Sequence, residues 1–426
     1  MMAISGRAAL ILCLAVVIRS CEARGGVNPL VHRAHGASHG IVDPSEKIFD
    51  VVQFGAKPDG RHENSLQFQR TWTAVCQWPG KARMVIPLGR FLVGPLVFTG
   101  PCRNREPIVV QIKGTLLSAS PDQLDDFPMD VDNWVQFYDI NGLIVIGGGT
   151  LDGQGAAFWS HSLGGQGPGL PVNLMFQKVT NAIVRKLSSV NPKGFHIGVV
   201  QCNNIRLYNL RIVAPGNSPN TDGIHISRSN LVKIARTQIA TGDDCIGMIQ
   251  GSTNISIKKV TCGPGHGISI GSLGKYENEA DVRGVIVKNV TISNTENGVR
   301  IKTMRGPKAI ATQASSIIFQ DIIMHNVKNP IIIDQEYNAH GKKQVNPSIV
   351  KISDVHFINI RGTATSPVAV QVVCSKKVPC QNIQFYNINL DYVGRPVKAL
   401  PPICTSTCSN AYGLSYGGIQ KPPACH

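Results

Sequence analysis

Four short segments between residues 220 and 302 repeat one pattern: NTDGIHI at 220–226, GDDCIGM at 242–248, GHGISI at 265–270 and NGVRIK at 297–302. Each has a polar residue, one further residue, and then two apolar residues on either side of a third. Recurrence at roughly 20–30 residues is typical of a solenoid, and the period-two alternation indicates strands rather than helices. The segments therefore predict a coil of parallel β-strands.

Stacking the turns of such a coil would bring distant polar residues together. When the apolar residues are aligned, the equivalent positions are Asp222, Asp244, His266 and Asn297. Equivalent positions on neighbouring parallel strands lie about 4.8 Å apart. We therefore expect carboxylates and a histidine from successive turns to share one outer face.

The remaining pattern predicts an all-β fold, a right-handed parallel β-helix. A second strand type, which begins near asparagine, recurs at 204–207, 230–234, 254–257 and 382–385. Right-handedness is the default for parallel crossovers. One short helix is expected to cap the open N-terminal end, with Asn64 or Ser65 as its N-cap. The apolar side chains at helical spacing are those of Phe68, Trp72, Val75 and Cys76.

The chain divides into four expected parts. Residues 1–23 are typical of a secretory signal peptide, with Arg7 followed by an apolar run at 8–18 that is too short to span a bilayer. Residues 24–47 are expected to form a flexible lead-in, 48–400 the β-helix catalytic domain, and 401–426 a disulfide-containing tail that seals the far end. We therefore expect a secreted protein of the extracellular space.

Secretion makes disulfides the expected state of the cysteines, although the sequence alone does not determine their pairing. Cys425 is expected to pair with either Cys408 or Cys404, and Cys202 to be a buried free thiol. A metal site at Cys245 and Cys262 is disfavoured, because no second cysteine or histidine pair accompanies them at ligand spacing. The local pairs that we expect are Cys76 with Cys102, Cys245 with Cys262, and Cys374 with Cys380.

The net charge of +16 predicts an anionic partner. Nucleic acid is disfavoured, because the sequence has no zinc finger, basic helix or stacking-platform motif. An acidic polysaccharide fits both the sign of the charge and secretion. With only four tryptophans, cations rather than aromatic platforms would hold the sugar. We expect a monomer that needs no cofactor or metal and does not bind membranes.

The motifs NTD at 220–222, GDD at 242–244, GHG at 265–267 and RIK at 300–302, in this order, resemble the signature of polygalacturonases, glycoside hydrolase family 28. The similarity extends from about Phe49 to Cys380. The segments around the motifs are most similar in sequence to those of plant members, including the pollen exopolygalacturonases. The resemblance implies hydrolysis of α-1,4 bonds of galacturonan, the backbone of cell-wall pectin, with inversion at the anomeric carbon. Cleavage from chain ends and internal cleavage both remain open.

The resemblance implies that Asp243 is the general acid and that Asp222 and Asp244 activate the attacking water. The residue types support this independently, because inverting hydrolysis needs a protonated carboxyl and a carboxylate about 6.5–9.5 Å apart. Crowded carboxylates raise the pKa of at least one of them, so we expect an acidic pH optimum.

Several cationic and aromatic residues are expected to hold the substrate. Arg300 and Lys302 alternate outward on one strand, where both would bind a substrate carboxylate. The resemblance places His266 near the acid, to tune protonation or orient the substrate, and Tyr337 at a sugar subsite.

Two departures and two rival interpretations qualify this prediction. Gly247 stands where many relatives have serine, and Asn338 where many have cysteine; neither change removes a catalytic group. One rival is a pectate-lyase-like β-eliminase whose aspartates bind calcium. The other is a wall-binding protein that retains the coil without catalysis.

Overall fold

The computed structural model describes residues 45–120, 132–162, 170–305, 312–337, 346–395 and 403–425. The predicted signal peptide, 1–23, and all but the end of the predicted lead-in, 24–47, lie outside these ranges. Within them, no helix has the length and apolar character that a membrane span requires.

The described chain is built almost entirely from short strands. The helical elements are α1 (Ser65–Gln77) and two short 3₁₀ helices, Gly155–Ala157 and Trp159–Ser162. The first strands are β1 (Lys47–Asp50), β2 (Asp59–Glu63), β3 (Ala82–Ile86), β4 (Arg90–Leu92), β5 (Leu96–Thr99), β6 (Ile108–Ile112), β7 (Thr115–Leu117), β8 (Asn133–Tyr138), β9 (Asn141–Ile146), β10 (Thr150–Asp152), β11 (Val172–Gln177), β12 (Thr180–Arg185), β13 (Ser188–Val190), β14 (Ile197–Val200), β15 (Asn203–Tyr208) and β16 (Arg211–Val213). They are followed by β17 (Ile224–Ser227), β18 (Asn230–Ala235), β19 (Gln238–Ala240), β20 (Ile246–Met248), β21 (Thr253–Lys258), β22 (Thr261–Cys262), β23 (Ile268–Leu273), β24 (Val282–Ser293), β25 (Asn297–Met304), β26 (Gln313–Val327), β27 (Asn329–Tyr337), β28 (Lys351–Ala364), β29 (Val368–Val373), β30 (Cys380–Tyr392), β31 (Thr405–Ser409), β32 (Ala411–Tyr412) and β33 (Ser415–Lys421).

These strands form two parallel sheets of a right-handed β-helix, so the predicted fold is confirmed. The 11-stranded sheet runs from β5 through β8, β11, β14, β17, β20, β23, β25, β27 and β29 to β31. The second sheet, of 22 strands, takes up the other strands of each turn, including β12, β15, β18 and β21. Each turn therefore contributes one strand to the first sheet and one or more to the second.

The interior is filled by apolar side chains stacked in register. Phe98, Phe137 and Phe176 stack on successive turns, with ring centroids 5.2 and 5.5 Å apart. Phe319 and Phe357 continue the same arrangement further along, at 5.3 Å. Because every turn repeats the inward side-chain positions of its neighbour, the core grows by stacking rather than by widening.

The predicted helix is present as α1 and packs against β1, β3 and β5 at the N-terminal end. Its buried side chains include Phe68, Trp72 and Val75, as the spacing predicts. Asn64 is the N-cap residue, but its side chain makes no capping hydrogen bond. Its side-chain oxygen instead accepts a hydrogen bond of 2.6 Å from the backbone of Lys57.

The predicted tail, 401–426, contributes strands to both sheets at the C-terminal end of the coil. β31 pairs with β29 in the first sheet, and β33 pairs with β30 in the second. The residues 405–421 thus add a further turn to the coil.

The predicted cysteine pairing is confirmed, and Cys425 pairs with Cys408 rather than Cys404. Cys202 and Cys404 are buried free thiols. The other disulfides join Cys76 to Cys102, Cys245 to Cys262, and Cys374 to Cys380.

Candidate active site

Four neighbouring strands of the 11-stranded sheet, β17, β20, β23 and β25, carry the repeated motifs. Ile224 pairs with Ile246, Ile246 with Ile268, and Ile268 with Val299. The residues two positions earlier are Asp222, Asp244, His266 and Asn297. These polar residues therefore occupy equivalent places where successive strands begin, because the register is continuous across the four strands.

Asp244 is the most enclosed of the carboxylates, with a side chain that is 4% exposed. Its Oδ1 accepts hydrogen bonds from Ser269 Oγ at 2.7 Å and from Arg300 Nη2 at 2.8 Å. Its Oδ2 accepts one from Lys302 Nζ at 2.9 Å. Two cations on one carboxylate leave this group of charges with a net positive charge.

Asp243 points to different partners, although it is the adjacent residue. Its Oδ1 lies 3.0 Å from Nδ1 of His266 and accepts a hydrogen bond of 2.7 Å from the backbone of Asp244. The other ring nitrogen of His266, Nε2, lies 3.3 Å from Oε2 of Glu296. Lys328 Nζ is 3.7 Å from the second oxygen of Glu296. His266 therefore lies between two carboxylates, and Asp243 is the more closely bound of the two.

Asp222 lies in a pocket beside an aromatic stack. Its Oδ2 is 3.4 Å from Nδ1 of His225, whose ring stacks on Phe195 with centroids 4.7 Å apart. Gly247 stands next to His225 in strand register. A Cβ atom at Gly247 would lie 3.4 Å from Oδ2 of Asp222 and 3.9 Å from Cβ of Asp244. Glycine thus leaves room for about one atom beside Oδ2 of Asp222, next to the Cβ of Asp244.

The environments move the pKa values of these groups in opposite directions. Burial, reinforced by the charges of Asp243 and Asp244, raises the pKa of Asp222 to about 6, against the opposing effect of His225. Burial also acts to raise the pKa of Asp243, but the hydrogen bond and charge of His266, with a smaller effect of Lys302, outweigh it and lower that pKa. The hydrogen bond that His266 donates to Asp243 raises the pKa of His266 against burial, and the charge of Glu296 adds to that rise. In the free site a proton therefore resides on His266 in preference to Asp243.

Tyr337, the outermost of the predicted residues, is connected to the site through the two cations. Its ring centroid lies 5.2 Å from Lys302 Nζ and 5.9 Å from Arg300 Cζ. Asn297 is buried, and its Oδ1 accepts a hydrogen bond of 3.1 Å from Asn329. The structure thus brings the predicted catalytic and substrate-binding residues together on neighbouring turns, whereas the side chain of Asn297 contacts Asn329 instead.

One oxygen or nitrogen each of Asp243, Asp244 and His266 lie within 4.8 Å of one another, which is close enough to share a cation. The surroundings do not favour a divalent metal. Arg300 and Lys302 already occupy both oxygens of Asp244. Further positive charge would also have to displace the proton that His266 attracts.

Sequence reasoning missed the second layer of this site: Ser269, His225, Glu296 and Phe195. Ser269 and His225 are outward residues of the repeated segments. Ser269 lies in register with Arg300, and His225 lies in register with Gly247. That alternation could have identified them. Nothing in the sequence distinguishes Glu296 or Phe195, because their roles arise from contacts across turns.

Comparison with known proteins shows which family the chain belongs to. The family described as Glycosyl hydrolases family 28 matches residues 76–415. The chain is 43% identical over 385 residues to the exopolygalacturonase of Platanus acerifolia, which covers 89% of this chain and 98% of that protein. It is 42% identical over 381 residues to the polygalacturonase of Gossypium barbadense, covering 88% of this chain and 90% of the other.

A solved structure, the endo-xylogalacturonan hydrolase from Aspergillus tubingensis, has a TM-score of 0.72 to this chain at 21% identity, covering 85% of this chain and 100% of the other. At that identity the likeness shows the fold. The family match over most of the coil, with the plant relatives at more than two fifths identity, leads to one conclusion. The chain belongs to glycosyl hydrolases family 28.

Proposed function

We propose that this protein is a secreted polygalacturonase that hydrolyses α-1,4 bonds of galacturonan with inversion. One observation carries the proposal: two adjacent aspartates have separate sets of partners. Asp243 contacts His266, whereas Asp244 accepts hydrogen bonds from Arg300 and Lys302. An inverting hydrolase needs two such groups, one for the leaving oxygen and one for water on the opposite face. The polymer is suggested by the names of the plant relatives, an exopolygalacturonase and a polygalacturonase.

The charges around Asp244 support an anionic sugar. Arg300 and Lys302 together carry one more positive charge than Asp244 neutralises, and their side chains are only 9% exposed. A uronic acid carboxylate that enters the site would supply the missing negative charge. Buried guanidinium and ammonium groups bind carboxylates strongly, because little water competes for them. Tyr337 would then offer its ring as a wall for the same sugar.

The acid function is assigned to Asp243 together with His266. In the free site the proton of this pair resides on His266, since the pKa of Asp243 is lowered and that of His266 is raised. A substrate carboxylate bound at Lys302 would reduce the effect of that cation on Asp243. The pKa of Asp243 would rise, and the proton could pass from Nδ1 of His266 to the carboxylate and then to the leaving oxygen.

The base function is assigned to Asp222 with Asp244. The absence of a side chain at Gly247 leaves space beside Asp222, and a water molecule at this position would contact Oδ2 of Asp222 and lie next to the Cβ of Asp244. Asp222 must be ionised to accept a proton from that water. Because its pKa is raised to about 6, activity should fall below about this pH, and the expected optimum is mildly acidic.

Product analysis tests the proposal against its rivals. Purified protein incubated with polygalacturonate should generate reducing ends with an inverted anomeric configuration, which proton NMR detects in the first minutes. A lyase would instead release ultraviolet-absorbing unsaturated products and would stop on addition of a chelator. A non-catalytic protein would bind the polymer and release nothing. Either result would overturn the proposal.

An Asp243→Asn variant is the matched control for hydrolysis. It should retain binding to polygalacturonate while bond cleavage collapses. Chromatography of the early products distinguishes the cleavage mode, because monomer alone indicates cleavage from chain ends and a ladder of sizes indicates internal cleavage.

Secretion is the remaining part of the proposal. It is supported by the signal-like residues 1–23 and by the disulfides of the coil. Expression of the full chain in plant cells should release protein that begins near residue 24 into the extracellular fluid. Retention of the intact N-terminus inside the cell would contradict it.

A further inference from the structure

The charges in the central part of the coil are separated by face. Between residues 153 and 276 the acidic residues are Asp222, Asp243 and Asp244, all of which lie in the candidate active site on the 11-stranded sheet. On the 22-stranded sheet, the strands of the same turns expose a group of cations that we name the basic face. Its members are Lys186, Arg206, Lys233, Arg236, Lys258 and Lys259, and all six are exposed.

Strand pairing places these cations close together. Arg206 is directly opposite Lys233 on the neighbouring strand. Lys258 is opposite Ala235 on one side and Lys288 on the other. Like charges at directly opposed positions destabilise a sheet. Among the residues that the structure describes, no acidic side chain forms an ion pair with a member of the basic face. The face ends at Lys288, whose Nζ lies 3.5 Å from Asp321.

Cations also recur at the corner residue that directly follows these strands, where the backbone is in the strained left-handed region. Successive turns place Lys186, Asn209, Arg236 and Lys259 there, with φ of 54°, 54°, 49° and 55°. The left-handed region favours glycine and asparagine over residues with long side chains. Later turns have asparagine at this corner, as at Asn289 with φ of 54°. Basic residues therefore stand where asparagine would be the less strained residue.

Both features oppose folding stability, and both increase the positive charge of one surface. Unfavourable local choices that persist in a folded protein are explained best by function. The turns are about 4.8 Å apart, so the three corner cations, with Asn209 between the first and the second, extend across roughly 14 Å. A line of unpaired cations at this spacing suits a linear polymer with a negative charge on each unit.

We infer that the basic face is a second, non-catalytic binding surface for an anionic polysaccharide, which holds the enzyme on its polymer while the opposite sheet cleaves. The choice of a polyuronate as the polymer rests on the proposed function. Nucleic acid fits the face less well, because single strands are held by base stacking on exposed aromatic rings. Tyr208, the aromatic residue within this face, is covered by the guanidinium of Arg236, 5.5 Å from its ring.

The test removes charge while relieving strain. The variant Lys186→Asn, Arg206→Gln, Lys233→Gln and Lys259→Asn deletes cations from the basic face and installs asparagine at two strained corners. Its matched control deletes the same number of cations from exposed sites elsewhere on the coil. The control substitutions are Arg61→Gln, Arg90→Gln, Lys113→Gln and Lys351→Gln.

Binding to immobilised polygalacturonate is measured with both sets of substitutions in an Asp243→Asn background, which prevents cleavage. A saturating short oligogalacturonide occupies the cleft, so that the residual binding reports on other surfaces. We expect the basic-face variant to bind about tenfold more weakly at low salt and with a shallower salt dependence, while the control binds like its parent. Its melting temperature should equal or exceed that of the parent, because asparagine relieves the strained corners.

Two further measurements separate this inference from others. With Asp243 intact, hydrolysis of a short oligogalacturonide should be unchanged in the basic-face variant; if the parent itself fails to cleave it, the proposed function fails independently. Equal binding by the variant and its parent would overturn the inference. So would an equal loss in the variant and the control, or a loss confined to single-stranded DNA as the polyanion.

Discussion

Replacing the two adjacent aspartates with asparagine, one at a time, should separate catalysis from stability. Asp244→Asn removes the carboxylate that, within the described part of the chain, forms ion pairs with Arg300 and Lys302, whose side chains are 9% exposed. Asp243→Asn removes a partner of His266, and those two side chains are 22% and 34% exposed. We expect both variants to lose hydrolysis and only the first to lose substantial stability.

The magnitudes follow from burial. Removing one partner from a buried ion pair costs about 3–5 kcal/mol, because the remaining charge is left without compensation in a poorly solvated site. The amide oxygen of asparagine still accepts one hydrogen bond, so the loss for Asp244→Asn should be about 3 kcal/mol. The half-exposed pair of Asp243 and His266 is worth less than about 1 kcal/mol. Loss of a general acid should lower the rate by about 10²–10⁴-fold in Asp243→Asn.

Thermal unfolding of the two variants at neutral pH, alongside reducing-end assays, provides the comparison. A loss of 3 kcal/mol corresponds to a fall in melting temperature on the order of 5 °C. The reasoning is refuted if Asp244→Asn melts with the parent protein, or if Asp243→Asn is equally destabilised. Either result would mean that burial does not determine how much these charges contribute to the free energy of unfolding.

Three further substitutions should shift the pH dependence of kcat/KM in directions that the structure sets. His225→Phe removes the hydrogen bond that lowers the pKa of Asp222, so the acid limb should move to higher pH; an unmoved limb would show that Asp222 does not control it. Gly247→Ser places a hydroxyl near Oδ2 of Asp222 and should move the same limb to lower pH, opposite to the first variant. Glu296→Gln removes a negative charge that raises the pKa of His266, so the alkaline limb should move to lower pH with the acid limb unchanged; movement of both limbs would argue for a general structural effect.

The coil and its register were predictable because both follow from a local, repeated rule. Apolar residues that alternate along each strand must face inward, and a slip by one position would turn them outward. Aligning Ile224, Ile246, Ile268 and Val299 therefore aligns the polar residues before them, as the strand pairing shows.

The partners of the charged groups could not be predicted in the same way. Arg300 and Lys302 were expected to bind a substrate carboxylate, yet in the free protein both contact the carboxylate of Asp244. The outward direction of a side chain follows from strand alternation, but its contacts depend on the neighbouring turns. Glu296 illustrates the same limit, since only the folding of the chain brings it to Nε2 of His266.

By itself, the sequence determined the repeat, the inward faces of the strands and the group of carboxylates that the turns would collect. It also determined that crowding would raise the pKa of one carboxyl. Only the tertiary structure decided that this carboxyl is Asp222 rather than Asp243. The physical reason is that a pKa depends on burial and on hydrogen-bond partners. For Asp222 the effect of burial exceeds that of the long 3.4 Å hydrogen bond with His225, whereas His266, 3.0 Å from Asp243, stabilises the charge of that carboxylate.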